Sequence, residues 1–512
     1  MKILFRVDSS VQIGTGHVMR CLVLAQELKR IGHDIHFAMR PLTGNLYDLI
    51  TSKGIELHKL PKTDDTKKTF IVDDYDTWLP VTQLEDAQDV CSRVEAVDLL
   101  IVDHYGINQT WEAHIKQTLQ CKILVIDDLL RHHECDFLLD QTLERKVSDY
   151  QNKTNTDCEI LTGTQYALLN PLFSHYRSKI LNQKESPNKK HSILISMGGI
   201  DNHNITLSIL EELKKYGFNH FSTITVIMSP KSPYYNNVKN FQACNKEITQ
   251  IDFVDNMAEL MTYHTIAIGA PGSTSWERAC LGIPSIIVPL AENQKMVCSQ
   301  LAKAKVAIEV NIKNISTELT DSINKLIDDF DTYKKNALSL CDGKGIYRVI
   351  SKIVLGMNNN KIFKGCRLAT NDDIEQVYIW QCLPETRRFS LNKNTPSHEE
   401  HIQWMEKKLA CINSYFYIIE INNEKLNTIS AGVVRLDKIE NNEYLISIFI
   451  DPKHFGKKIA QQALNYIDLV HPDITINATV LIENIASQKL FTSANYEKLN
   501  EESFRRLPLR SK

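Results

Sequence analysis

A chain of 512 residues, 43% hydrophobic, 24% charged and 8% aromatic, has the make-up of a globular protein and exceeds one ordinary core, so two to four domains of roughly 100 to 200 residues are expected. Its net charge of −3, from 59 basic and 62 acidic residues, excludes a global attraction for nucleic acid or an anionic membrane and leaves any phosphate site to be local. No run approaches the roughly 18 apolar residues of a membrane span, the start MKILFRVDSS lacks a secretory signal, and the 12 cysteines contain no C-x-x-C pair, so a cytoplasmic protein with reduced thiols is expected.

Residues 1–178 alternate apolar runs (KILFRV, DIHFAM, DLLIVD, KILVIDD, CEILTG) with helical stretches, which predicts a mostly parallel sheet with helices on its faces. The first run enters the glycine turn GTGH, and Val18, Cys21, Leu22, Ala25 and Leu28 then form one helical stripe. Gly14 and Gly16 permit close backbone approach, and the helix start favours negative charge. Met19 stands where the dinucleotide fingerprint needs its third glycine, which weakens an NAD reading.

His17 at this turn is either held by backbone or a general base, since a helix amino terminus disfavours imidazolium. Asp8, Asp103, His104 and Tyr105 end predicted strands and point to a cleft. There Asp8 is a candidate for a ligand hydroxyl and Tyr105 for orienting water or histidine, with capping or turn roles as the alternative. The cluster RHHECD, 131–136, reads as a solvated loop rather than a metal site.

A lysine-rich linker, SKILNQKESPNKKH, precedes a second alternating region, 190–356, with the strands SILISMGG, STITVIM, ITQIDFV, TIAIGA and PSIIVPL. Gly198 and Gly199 follow its first strand, as a tight turn or a phosphate contact. Around residue 270 a strand runs into GAPGSTSWE, where Gly272, Ser273 and Thr274 can wrap a diphosphate and Glu277 can accept a ribose diol. Thr274-x-x-Glu277 also fits a capping box, in which the glutamate merely closes the helix. The polar loop at Asn293 and Gln294 completes the candidate nucleotide contacts. After a second linker at 357–363, the region 364–512 changes to longer strands, SYFYIIEI, TISAGVVRLD and YLISIFID, which predict an antiparallel sheet.

The ordered set RVDSSVQIGTGHVMRC, IVDHYGINQTWE, VIDDLLRHHECDFLLDQT, SMGGIDNHN, NMAEL and GAPGSTSWERACLGIPSIIVPLAENQ resembles the UDP-sugar hydrolase family of pseudaminic acid biosynthesis, which acts on UDP-2,4-diacetamido-2,4,6-trideoxy-β-L-altropyranose. The resemblance covers about residues 1–356. It implies an α/β, glycosyltransferase-B-like pair of doubly wound Rossmann-like domains, with the sugar between them and UDP mainly on the second. It also implies hydrolysis to UDP and free sugar with inversion at C1, His17 as base, and neither metal nor cofactor. An inverting glycosyltransferase and a nucleotide-sugar-binding protein without turnover are the alternatives.

From residue 364, RLATNDDIEQVYIW, AGVVRLD, ISIFIDPKHFGKKIAQQAL and ENIASQKLFTSANYEKL resemble the GCN5-related N-acetyltransferases, an α+β fold. The resemblance implies acetyl-CoA as cosubstrate, contacted through Gly456, Lys458, Ala460 and Asn484. Three positions depart from the family pattern: Phe455 replaces Arg or Gln, Lys458 a glycine, and Phe491 the tyrosine that protonates the leaving thiolate. A docking module without catalysis is the alternative.

Overall fold

KILFRV forms strand β1 (Lys2–Val7), with five of its six residues buried, so both its faces are covered. Six further strands join it: β2 (Asp34–Met39), β3 (Glu56–Lys59), β4 (Leu99–Asp103), β5 (Lys122–Ile126), β6 (Phe137–Asp140) and β7 (Glu159–Thr162). They lie in the order β3-β2-β1-β4-β5-β6-β7, all parallel. Strand order reverses between β1 and β4, where connections leave in opposite directions and open a crevice beyond the carboxyl ends. Val7 and Asp103, the last residues of those strands, are register partners at its floor. The helix Gly16–Arg30 follows β1 and buries Val18, Cys21, Leu22, Leu24, Ala25 and Leu28. Each buried leucine contributes roughly 1.5–3 kcal/mol, and Lys29 and Arg30 complement the dipole of the last turn.

The structure is a computed structural model that describes residues 1–63, 70–71, 74–182, 190–198, 201, 203–290, 294–357, 362–423, 427–440 and 442–509. Two compact units divide it, Met1–Ile346 and Tyr347–Lys512. The first unit holds a second parallel sheet, of β8 (Ser192–Ser196), β9 (Thr223–Ile227), β10 (Ile248–Ile251), β11 (Ile266–Gly269), β12 (Ser285–Ile287) and β13 (Ala307–Glu309). Its order is β10-β9-β8-β11-β12-β13, so it reverses between β8 and β11, with Ser196 and Gly269 as register partners at their ends. Ala167, Leu169 and Phe173 belong to this sheet's core, together with Leu194, Ala279 and Ile287. The chain therefore joins the second sheet before the lysine-rich segment. Arg177 fixes the crossing by donating to the carbonyls of Cys280, Leu338 and Cys341.

The second unit contains β14 (Phe363–Leu368), β15 (Ser414–Asn422), β16 (Thr428–Glu440), β17 (Glu443–Ile450), β18 (Thr475–Thr479), β19 (Glu497–Lys498) and β20 (Ser503–Arg506). The order is β14-β15-β16-β17-β18-β20-β19, antiparallel at every pair except β17 and β18. That parallel pair corrects the purely antiparallel expectation. It holds only from Glu443 to Leu445 against Thr475 to Asn477. Beyond Leu445 the two strands part, which leaves backbone of β17 open to a ligand. All 12 cysteines are free thiols, and no helix among the described residues is long and apolar enough to cross a membrane.

Candidate active site

The end of β4 and the start of the helix after β1 bring His17 to Asp103. Nδ1 of His17 lies 2.6 Å from Asp103 Oδ1. Arg20, one helical turn beyond His17, donates from Nε and Nη2 to both oxygens of Asp103, at 2.5 and 2.6 Å. Burial alone would raise the Asp103 pKa, but the Arg20 guanidinium and then His17 hold it well below the usual carboxylate range. Asp103 is thus an anion that accepts the Nδ1–H of His17 and leaves the lone pair on Nε2. The competing contact, Arg20 Nη2 to Nδ1, is longer at 3.3 Å and would turn a histidine lone pair toward the aspartate. His17 keeps 11% of its side chain exposed, and its Nε2 makes no hydrogen bond among the described residues.

Aromatic rings surround this dyad. Tyr105 meets the His17 ring edge-on at 4.7 Å and Trp78 at 6.1 Å, while Tyr75 packs on both Trp78 and Tyr105. The Tyr105 hydroxyl donates to Asp128 at 2.7 Å. Its ring, rather than its hydroxyl, therefore holds the histidine. Gly14 has φ +84 and a methyl group there would meet nothing within 4 Å; Gly16 is likewise open. No side chain caps the helix that Gly16 begins, so its first-turn N–H groups are left for ligand or water.

Asp8, expected to meet a sugar hydroxyl, lies elsewhere. Its side chain is fully buried; Oδ1 takes the Arg6 guanidinium and the Arg40 N–H, both at 2.8 Å, and Oδ2 faces His104 at 3.3 Å. Arg6 and Arg40 also share Asp86, which accepts from Trp111 as well. This ionic core locks β1, the end of β2 and the helix Gln83–Cys91 together and removes Asp8 from a ligand's reach. The RHHECD stretch is not a solvated loop either. His133 is buried between Glu112 at 2.8 Å and Asp127 at 3.4 Å; burial opposes its charge, but the two carboxylates push its pKa up to about 9.

At the second reversal the two helix starts differ. Asp201 closes the helix Ile205–Tyr216, accepting from the N–H groups of Ile205 and Thr206 at 2.9 Å. An acid already holds that terminus, so a phosphate is disfavoured there. Gly198 remains a close-approach position, at φ +88 with open space above it. The helix Ser273–Cys280 begins after Gly272, whose N–H donates to Ser275 Oγ at 3.3 Å; no side chain accepts from the N–H groups of Ser273 and Thr274, which line its start. Because Gly272 is the cap, Thr274 and Glu277 form no capping box, and that closing role for the glutamate falls away.

The Glu277 carboxyl makes no hydrogen bond among the described residues, and burial pushes its pKa up to about 7 against the attraction of Arg278. Arg278 donates to the Ala270 carbonyl and to Ser275 Oγ. Gln294 accepts from the Leu290 N–H at 2.8 Å, while Gly199 and Asn293 lie outside the described residues.

In the second unit, Gly456 (φ +74) and Lys458 (φ +57) shape an exposed turn into the helix Ile459–Val470, of which Ala460 is the second residue. Lys458 thus adopts the left-handed backbone that glycine provides in the family, at a cost of roughly 1–2 kcal/mol. Asn484 caps the helix Ile485–Ser493 through the Ser487 N–H. Phe491 is buried against Tyr496 and Phe504.

Asp103 ended a predicted strand, yet its pairing with His17 depends on β1 and β4 being neighbours. Sequence reasoning missed Arg20, although its place one helical turn after His17 is a signal that could have found it. Nothing local pointed to Trp78 or Tyr75.

The family model of the glycosyltransferase family 28 C-terminal domain matches residues 160–347, and that of the acetyltransferase (GNAT) domain matches 366–497. The UDP-2,4-diacetamido-2,4,6-trideoxy-beta-L-altropyranose hydrolase of Campylobacter jejuni subsp. jejuni serotype O:2 is 32% identical over 311 residues, 60% of this chain and 99% of that protein. The uncharacterized protein MJ1062 of Methanocaldococcus jannaschii is 25% identical over 97% of each chain. Among solved structures, MurG of Acinetobacter baumannii matches with a TM-score of 0.44 and 12% identity, covering 68% of this chain and 98% of that one.

Proposed function

The chain belongs, over the 60% that aligns, to the family of the UDP-2,4-diacetamido-2,4,6-trideoxy-beta-L-altropyranose hydrolase, and on that premise we propose that it is a cytoplasmic bifunctional enzyme. Its first activity is hydrolysis of that UDP-sugar to UDP and free sugar. Its second is acetyl-CoA-dependent N-acetylation of an amino sugar.

The observation that carries the first activity is the His17–Asp103 dyad at the crevice between β1 and β4, with Nε2 available to accept a proton. His17 takes a proton from water as the water oxygen attacks the anomeric carbon. The C1–O bond to UDP breaks, its electron pair leaves with the diphosphate, and the configuration inverts in this single displacement. The N–H groups at the helix Ser273–Cys280 receive the diphosphate charge, and Glu277 accepts the ribose hydroxyls. Gly198 and Gln294 complete the nucleotide side, and Gly14 and Gly16 let the sugar approach the base.

UDP released from purified protein and UDP-sugar, with no acceptor added, is the expected result. Strict dependence on an acceptor alcohol would select inverting glycosyl transfer, the reading favoured by the glycosyltransferase-domain match at 160–347. Binding without release would select a nucleotide-sugar-binding protein.

The parting of β17 and β18 after their short parallel contact, together with the exposed turn at 455–458 that leads into the helix Ile459–Val470, supports acetyl-CoA binding in the second unit. An amine attacking the thioester yields amide and CoA thiol, and this acetylation would precede hydrolysis. Free CoA from the full chain given acetyl-CoA and a 4-amino UDP-sugar is the test. Its absence, with acetyl-CoA still bound, would leave a docking role consistent with Phe491.

A further inference from the structure

β2 carries Asp34-x-His36 and the edge strand β3 carries Glu56-x-His58. Alternate residues of a strand share a face, and the parallel register sets His36 against Glu56. Three donor atoms converge as a result. His36 Nδ1 lies 3.0 Å from His58 Nε2 and 3.5 Å from Glu56 Oε2, and Glu56 Oε1 lies 3.7 Å from His58 Nε2. Donors held tetrahedrally at about 2.0–2.1 Å from an ion stand about 3.3–3.4 Å from one another; the His36–His58 and His36–Glu56 spacings bracket that requirement, His58 faces the other Glu56 oxygen, and one donor atom from each of the three residues lies within 4.8 Å of the other two.

A fourth residue completes the pattern. Asp34 Oδ2 lies 3.0 Å from His36 Nε2 and takes its proton in a hydrogen bond, which leaves the lone pair on Nδ1 facing the other two donors. A carboxylate behind an imidazole in this way is the usual outer support of a metal-bound histidine. We propose that His36, His58 and Glu56 form a binding site for a divalent, zinc-like transition-metal ion, with Asp34 as the residue that positions His36.

On binding, the ion replaces the hydrogen bond shared by the two imidazoles. The Nε2 proton of His58 moves to its Nδ1, so no redox step and no net proton loss are needed. Glu56 is 64% exposed and His58 15%, which leaves water room to fill a fourth position. The cluster lies back from the carboxyl ends of the strands where His17 and Asp103 meet. The ion would therefore pin the four-residue edge strand β3 to β2 and take no part in UDP release.

The test titrates the chelator-stripped full chain with Co2+ as a spectroscopic stand-in for zinc. A single equivalent is expected, with visible ligand-field bands, without thiolate charge transfer in the near ultraviolet, and lost in His58→Ala. Asp34→Asn should weaken binding by about ten- to hundredfold. Zinc should raise the melting temperature of the wild type but not of His58→Ala, with UDP release the same in both. Glu56→Gln, on the exposed edge, guards against misfolding of the histidine variant and should weaken Co2+ binding as well. Equal titrations of wild type and His58→Ala, a charge-transfer band that assigns the ion to cysteine, or no binding at millimolar Co2+ would overturn the proposal.

Discussion

The two reversal points of the first unit share a topology and differ in chemistry. Between β1 and β4 stand an acid, a base and a guanidinium held together at 2.5–2.6 Å. Between β8 and β11 stand glycines, hydroxyls and a lone carboxyl that burial keeps near neutrality. Parallel winding supplies the crevice in each case; the residues at the strand ends set the chemistry open to it.

The largest expected effect breaks the first side of this comparison. His17→Ala should lower turnover about a hundredfold or more with KM for the UDP-sugar little changed, and Asp103→Asn should do the same by releasing the tautomer. Undiminished turnover in steady-state assays would refute the base. Next comes the ionic core behind that crevice. Asp86→Ala leaves Arg6 and Arg40 buried without their shared partner and should destabilise the fold by about 3–5 kcal/mol, read from denaturant unfolding.

The second side should respond in binding instead. Glu277→Gln should raise the UDP dissociation constant about tenfold, measured calorimetrically, and change turnover less. Because the Glu277 carboxyl titrates at about 7, UDP affinity should weaken as pH falls from 8 to 6 in the wild type and not in Glu277→Gln. The stability term has the opposite sign. Burial raises this carboxyl above its unfolded value, so its contribution is full below pH 4.5 and lost as pH rises through about 7. Melting curves of wild type and variant should diverge accordingly. The smallest effect concerns the helix start in the second unit: Lys458→Gly removes left-handed strain and should stabilise it by up to about 1 kcal/mol, visible as a small rise in melting temperature.

Apolar runs and glycine turns made the alternation and most of the strands legible. Strand β3, with the sequence ELHK, has no apolar period because it is an edge with largely exposed residues, so local pattern passes it by. His17 was legible from its place at a helix start, but its partner was not. Asp8 directly follows β1 and Asp103 ends β4, and the two look alike locally. Only the neighbours brought in by the sheet, Arg6 and Arg40 around one and His17 with Arg20 around the other, separate an acid locked in an ionic core from one paired with a partly exposed histidine. Thr274 and Glu277 have the spacing of a capping box, which a two-residue shift in the helix start undoes.

The central claim, that water activated at His17 attacks the sugar, is tested most directly by time-resolved NMR of the reaction in 18O-labelled water without acceptor. The account predicts label on C1 of an initially inverted free sugar, unlabelled UDP, and loss of the reaction in His17→Ala. Label on the diphosphate, retention at C1, or an unaffected His17→Ala reaction would contradict it.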